Sequence, residues 1–173
     1  MLVLGIDPGS RRTGWGLIEE RGAALAMRDM GVIRPGDGLP LERRLAAIHA
    51  AIEELLRSYG PECVGIETVF HGVNTRALVT LGQARGAVMA AVGAESRQLL
   101  EISPAEIKKA VLGNGQVTKE QVAHTIGMLL GPEVRARIVA AREVSAAADA
   151  TDALAVAIAA LHRRAAPVGR AGE

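Results

Sequence analysis

Apolar and polar positions follow different periods along the chain, and each period predicts a different kind of element. Short apolar runs near the N-terminus have β-type character and predict three strands, at Leu2–Ile6, Thr13–Glu19 and Ala23–Ile33. Turn signals follow the first and third of these runs, at Asp7-Pro8-Gly9-Ser10 and Pro35-Gly36-Asp37-Gly38. From Leu41 to Tyr59 the apolar side chains recur at helical spacing, so this segment is predicted to be a helix.

Strands and helices alternate in the rest of the chain. Two further strands are predicted, at Cys63–Ile66 and at about Leu99–Ile102. A long helix is expected from about Thr75 to about Val92, and Ser103 opens another, because a proline and a glutamate follow it as in a capping box. Strands first, and then strands alternating with helices, predict an α/β fold in which a mixed sheet is flanked by helices.

Length and composition narrow the class of protein. The chain has 173 residues, which suits one domain with its own core, here expected over residues 1–164 with 165–173 as a flexible tail. Apolar residues make up 49% of the chain and aromatic residues only 2%, so aliphatic side chains must build the core. The net charge of +1 gives no global sign of a polyanion ligand.

Three features predict a soluble cytoplasmic protein with no membrane attachment. The single cysteine, Cys63, begins an apolar run, as a buried thiol in a reducing compartment would. The N-terminal apolar run reaches Asp7 too early for a signal peptide. The longest uninterrupted apolar stretch, Ala153–Leu161, is too short to span a bilayer.

Two aspartates stand three residues apart in an otherwise apolar, alanine-rich run near the C-terminus. Asp149 and Asp152 would share one face of a helix, beside a stripe that must pack inward. Two like charges at the edge of a core repel each other and resist desolvation, so they persist most easily around a metal ion. A solvated helix face remains the alternative.

Two more acidic residues are predicted at the ends of strands. Asp7 ends the first strand and Glu67 a later one, and functional groups gather beyond strand ends in open α/β sheets. Together with Asp149 and Asp152 they form a set of four carboxylates, which suits Mg²⁺ or Mn²⁺. Two such ions can activate water and stabilise a leaving oxygen of a phosphodiester. Taken singly, Asp7 is a turn residue and Glu67 an exposed edge charge.

The sequence motifs around these acids resemble those of one family. The motifs are Gly5-Ile6-Asp7-Pro8-Gly9-Ser10-Arg11, Ile66-Glu67-Thr68-Val69-Phe70, Leu81-Gly82-Gln83-Ala84-Arg85-Gly86 and Ala148-Asp149-Ala150-Thr151-Asp152-Ala153-Leu154-Ala155. In order and approximate spacing these motifs resemble those of the RuvC-type Holliday junction resolvases, over nearly the whole chain.

The resemblance implies a ribonuclease H-like fold and a homodimeric endonuclease that nicks opposite strands of a four-way DNA junction symmetrically. Asp7, Glu67, Asp149 and Asp152 match the catalytic acids of the family, which implies that they hold two Mg²⁺ ions, with Mn²⁺ as a substitute. The expected products carry a 5′-phosphate and a 3′-hydroxyl. The expected partner is a branch-migration helicase complex of the RuvA and RuvB type.

Five further residues are expected to bind DNA. The resemblance implies that Phe70 stacks on an unpaired base and that Lys108 and Lys119 contact phosphates near the cut. Arg76 and Arg85, on the helix after Glu67, either follow the DNA backbone or face solvent. That helix either covers its own sheet or also forms the dimer contact.

The chain departs from the family in two places. Gly131–Ser145 is longer than the matching connection in many relatives and is interpreted as a charged helical insertion. Val73 and Thr80 stand where basic residues are common, so fewer phosphate contacts and a weaker dependence of binding on salt are expected. Two alternatives remain open: an ATP-binding protein of the actin and sugar-kinase type, and a junction-binding module without catalytic activity.

Overall fold

The computed structural model describes residues 1–22, 24–68, 75–113, 119–132, 134–136, 138 and 147–165. Five strands and five helices are used below, and their bounds are as follows: β1 Leu2–Asp7, β2 Thr13–Arg21, β3 Ala24–Ile33, α1 Leu41–Tyr59, β4 Cys63–Glu67, α2 Thr75–Ala94, β5 Gln98–Ile102, α3 Pro104–Leu112, α4 Lys119–Leu129 and α5 Ala147–Ala165.

The five strands form one mixed sheet in the order β3-β2-β1-β4-β5. The first three strands pair antiparallel as a meander, and β1, β4 and β5 pair parallel. The predicted α/β architecture is therefore confirmed, with β1 at the centre of the sheet. Most predicted elements agree within a few residues, although β2 continues to Arg21 and α2 continues to Ala94.

Helices cover both faces of the sheet. On one face, Leu4, Ile6 and Val64 pack in a cluster with buried residues of α1 and α2. On the other face, Val3 and Cys63 belong to a second cluster that contains α3, α4 and the buried side of α5. Because side chains of a strand alternate between faces, this division assigns every second residue of β1 and β4 to the face under α5.

Glycines let α5 lie directly on the sheet. A Cβ on Gly5 of β1 would overlap the carbonyl oxygen of Ala153 and stand 2.8 Å from the Cβ of Ala157. A Cβ on Gly14 of β2 would overlap the carbonyl oxygen of Asp149. The helix backbone therefore touches the strand backbone, which explains why so small a share of aromatic residues suffices for this core.

The third helix starts as its sequence predicts. The Ser103 hydroxyl accepts a hydrogen bond from the amide of Glu106 at 3.3 Å, and the Glu106 carboxylate accepts one from the Ser103 amide at 2.8 Å. This capping box fixes the direction in which α3 leaves β5. The helix then buries Ile107 and Val111 on the α5 side of the sheet.

Helix α2 combines an apolar composition with substantial exposure. Within the described part of the chain, it is the helix whose length and mean hydropathy of 1.3 would allow it to cross a membrane. Only 22% of that apolar window is buried, through contacts with α1 and β5, and the Val79 side chain is 56% exposed. Much of α2 is therefore not buried against the described part of the chain.

Some residues for which the sequence makes predictions lie outside the described residues. Phe70 and Val73 belong to this group, as do residues 166–173 of the expected tail and most of the insertion Gly131–Ser145. The backbone of Lys119 is described as the first residue of α4, but its side chain is not.

Candidate active site

Asp7 and Glu67 lie side by side at the carboxyl ends of two parallel strands. The register pairs Ile6 of β1 with Ile66 of β4, so the next residue of each strand stands beside the other. Both acids are two residues beyond a glycine that faces α5, namely Gly5 and Gly65. By the alternation of strand side chains, both carboxylates project from the face that α5 covers.

The two aspartates of α5 come to the same corner. Asp7 pairs with Gly14 across β1 and β2, and the carbonyl of Asp149 rests directly on Gly14. Asp152 is one helical turn further along α5 and lines a cavity together with Glu67. The structure therefore brings all four predicted acids to one end of the sheet, on one face.

A small cavity separates Glu67 from Asp152. Its volume is about 110 Å³, and its wall also contains Lys108 of α3. Pro104, Ile107, Val122 and Ala155 complete the lining. Lys108 is half-buried there, whereas the neighbouring Lys109 is exposed.

The four carboxylates do not meet at a single point. Asp7 and Asp149 are not part of the cavity wall that Glu67 and Asp152 share. Among the described residues, no three acidic, histidine or cysteine side chains are close enough to hold a metal ion as a group.

Asp149 instead contacts an arginine from the turn after β1. Arg12 Nε lies 3.1 Å from Asp149 Oδ2, with 46% of the arginine side chain and 23% of the aspartate side chain exposed. The same oxygen is buried and has no partner with hydrogen-bond geometry in the described part of the chain. The contact is therefore an ion pair of poor angle rather than a hydrogen bond.

Arg85 is turned toward the protein. Its Nε donates a hydrogen bond of 3.2 Å to the carbonyl oxygen of Glu67, and its guanidinium also pairs with Glu101 of β5. Only 18% of the Arg85 side chain is exposed. The phosphate contact predicted for Arg85 stays a prediction, but the structure assigns it another use, which is to fasten α2 to the end of β4 beside Glu67.

Arg76 has the exposure that a phosphate contact requires. It lies in the first turn of α2 and lines a surface cavity of about 370 Å³ with Ser10 of the turn after β1. Ala77, Thr80 and Leu81 form the rest of the wall. The cavity lies beside the Asp7 turn, because Ser10 forms part of its wall.

The comparisons with known proteins agree across nearly the whole chain. The family model described as crossover junction endodeoxyribonuclease RuvC matches residues 3–160. A crossover junction endodeoxyribonuclease RuvC from Anaeromyxobacter sp. (strain K) is 42% identical over 99% of this chain and 86% of its own length. The protein of the same description from Chlorobaculum parvum is 41% identical over 99% of this chain and 87% of its own length.

A solved structure supports the same assignment. Thermus thermophilus RuvC in complex with a Holliday junction substrate superposes with a TM-score of 0.80 at 28% identity, over 95% of this chain and 96% of that one. The likeness confirms the expected ribonuclease H-like fold, and the family match excludes the ATP-binding alternative. The chain belongs to the RuvC family of crossover junction endodeoxyribonucleases.

Proposed function

We propose that this chain resolves four-way DNA junctions by metal-dependent hydrolysis of one phosphodiester in each of two opposite strands. The observation that carries the proposal is the placement of four carboxylates on one face and at one end of the sheet, in a chain of the RuvC family. The relative from Thermus thermophilus was solved with a Holliday junction substrate, which supports the same substrate here.

Mg²⁺, with Mn²⁺ as a substitute, is the cofactor that these side chains fit. Carboxylate oxygens are the ligands that both ions prefer, and Asp149 Oδ2 is a buried anionic oxygen without a hydrogen-bond partner among the described residues. Asp7, Glu67 and Asp152 would hold two ions, and Asp149 would join them once it leaves Arg12. A bound divalent cation supplies Lewis-acid chemistry, which eases deprotonation of water and stabilises a leaving oxygen.

The side chains around the acids position the DNA strand and its phosphate. Lys108 shares a cavity with Glu67 and Asp152, so its ammonium can donate to a non-bridging oxygen of the phosphate to be cut. Arg85 holds the backbone of Glu67 and thereby keeps that carboxylate at the strand end. Water attacks the phosphorus and the 3′ oxygen leaves, so the products carry a 5′-phosphate and a 3′-hydroxyl.

Symmetrical cutting requires two copies of the site related by a two-fold axis. We propose that α2 forms the contact of a homodimer, because the described residues bury only 22% of its apolar window and leave Val79 56% exposed. An exposed apolar patch on a helix that lies next to the active site favours a protein partner.

The remaining interactions follow from family membership and stay proposals. Phe70 would stack on an unpaired base near the junction centre, and Lys119 and Arg76 would contact phosphates. The protein would work in the cytoplasm together with a branch-migration helicase complex of the RuvA and RuvB type.

The test compares a synthetic four-way junction with a linear duplex of the same sequence, in Mg²⁺, in Mn²⁺ and in EDTA. We expect paired nicks in opposite strands of the junction only, in either metal, and religation of the nicks by DNA ligase without prior phosphorylation. Binding without cleavage in either metal would favour a non-catalytic junction-binding module. Equal cleavage of the linear duplex, or cleavage in EDTA, would contradict the proposal.

A further inference from the structure

A second polar cavity lies beside the Asp7 turn, apart from the one between Glu67 and Asp152. Its volume is about 260 Å³. The wall combines the turn after β1 with the loop between β3 and α1 and the first turns of α1, and it contains these residues: Arg11, Gly36, Asp37, Gly38, Leu39 and Arg44. Two guanidinium groups therefore face one cavity against a single carboxylate.

Arg44 is held in place at one end of its guanidinium. Its Nη1 donates to the carbonyl oxygen of Ser10 at 3.2 Å and lies 3.5 Å from the Ser10 hydroxyl. Its Nε is buried and has no hydrogen-bond partner among the residues that the structure describes. A buried donor without an acceptor is costly in a folded protein, so the described residues leave the Arg44 guanidinium only partly satisfied.

Arg11 is the second guanidinium in the lining of this cavity. It is exposed, and across the described ranges of the chain it has neither a hydrogen bond nor an ion pair. Asp37 is likewise exposed, and no ion pair joins it to either arginine in the described structure. The cavity therefore has a net positive lining with one cation free to move onto a ligand.

We propose that Arg11 and Arg44 bind a backbone phosphate of the junction strand that approaches the four acids. The inference rests on the proposed function, since it names a contact of the same substrate. Guanidinium groups match phosphate oxygens with two parallel hydrogen bonds, so a phosphodiester suits this pair of arginines. Ser10, which Arg44 contacts, also lines the neighbouring cavity of Arg76, so the basic surface continues past the Asp7 turn.

The contact also has a consequence for the acids. Arg44 touches the backbone of Ser10, three residues after Asp7, so a phosphate bound by Arg44 would steady the turn that carries the first carboxylate. Arg44 is therefore unsuitable as the test position, because its loss would also loosen that turn. Arg11 and Asp37 form no hydrogen bond or ion pair with the described residues, so they make cleaner probes.

The test measures junction binding in EDTA as a function of salt for Arg11→Gln, Asp37→Asn and a control. The control is Arg21→Gln, which removes the same charge at the opposite end of the sheet, where Arg21 pairs with Glu19 at 2.8 Å. We expect Arg11→Gln to bind roughly tenfold more weakly at low salt and to lower the salt slope by about 0.9. Asp37→Asn should bind more tightly than wild type, and Arg21→Gln should match wild type.

A thermal-shift titration with inorganic phosphate distinguishes free phosphate from the DNA backbone. Two results together would overturn the DNA assignment. Millimolar phosphate would stabilise wild type but not Arg11→Gln, and the two proteins would show the same salt slope of junction binding. Equal slopes for Arg11→Gln and Arg21→Gln would overturn it too. If wild type neither binds nor cuts a junction, the proposed function itself has failed. If wild type binds the junction and Arg11→Gln binds it equally well, only the assignment of Arg11 has failed.

Discussion

The Nε of Arg12 lies 3.1 Å from Oδ2 of Asp149, so a protein cation stands at one of the four acids. Arg12 and a divalent ion would compete for the same negative charge, because a guanidinium and a metal ion cannot both occupy one face of a carboxylate. Helix α5 thus carries one aspartate that lines the cavity with Glu67 and one that is held by the turn after β1.

Replacement of Arg12 should therefore strengthen metal binding. We expect Arg12→Gln to lower the free energy of unfolding in EDTA by about 1 kcal/mol, the upper range for a partly exposed ion pair. Its melting temperature should then rise more steeply with Mg²⁺ than that of wild type. Arg21→Gln, which breaks the exposed pair with Glu19, should leave the Mg²⁺ dependence unchanged. Identical Mg²⁺ titrations for Arg12→Gln and wild type would contradict this view of Arg12.

Asp7→Asn should abolish cleavage while it preserves binding. Asp7 lies between Glu67 and the Gly14–Asp149 contact, so it is the acid best placed to reach both ions. The amide removes one negative charge near the DNA phosphates, and junction affinity in EDTA should stay equal or rise. Nicking and gel-shift assays on one junction measure both effects, and undiminished nicking would exclude Asp7 from the catalytic set.

Gly5→Ala should be strongly destabilising. The new methyl group would meet the backbone of α5 at Ala153, and backbone cannot move aside as a flexible side chain can. We expect a loss of about 3 kcal/mol or more in the free energy of unfolding, at or above the upper range for overpacking. Gly93→Ala on α2 is the control, since a methyl group there meets open space and should be neutral or slightly stabilising. Equal urea midpoints for the two variants would mean that α5 does not rest on Gly5.

Ser103→Ala should reveal a pH-dependent contribution to stability. The hydrogen bond from the Ser103 side chain, and then the one from its amide, lowers the pKa of Glu106 below its ordinary value. A carboxyl group whose pKa is lowered in the folded state stabilises the fold above its unfolded pKa, and that stabilisation is lost as the pH falls through the folded pKa. The variant should cost about 1 kcal/mol at neutral pH through loss of the cap. In urea unfolding, the difference in free energy of unfolding between wild type and Ser103→Ala should be smaller at about pH 3 than at neutral pH. A larger difference at low pH would contradict this role of Ser103.

Val79→Glu should disrupt the proposed homodimer. The substitution places a charge on the exposed apolar surface of α2, where burial against a second copy would desolvate it. We expect a folded monomer in sedimentation experiments and loss of paired nicks. Ala46→Glu, at an exposed position of α1, adds the same charge away from α2 and should leave the mass unchanged. A dimeric Val79→Glu protein would exclude this surface as the contact.

The positions of the acids could be predicted because strand periodicity is strict. Alternation along β1 and β4 determines the face of the sheet from which Asp7 and Glu67 project. The i, i+3 spacing places Asp149 and Asp152 on one face of α5. The direction of Arg12 could not be predicted, since a long side chain in a turn obeys no period. The inward direction of Arg85 was equally hidden, because a long guanidinium side chain next to the buried Ala84 can turn either toward the strand end or toward solvent.

The direct contact of the α5 backbone with glycines of the sheet means that the acidic site can stay intact only while the whole fold is intact. The helix that bears Asp149 and Asp152 has no layer of adjustable side chains beneath it at Gly5 and Gly14, so it cannot tilt or slide without losing the sheet. Its buried amides should exchange with deuterium only through global opening. The nuclease should accordingly keep its activity up to the temperature at which the whole domain melts, and it should lose both together.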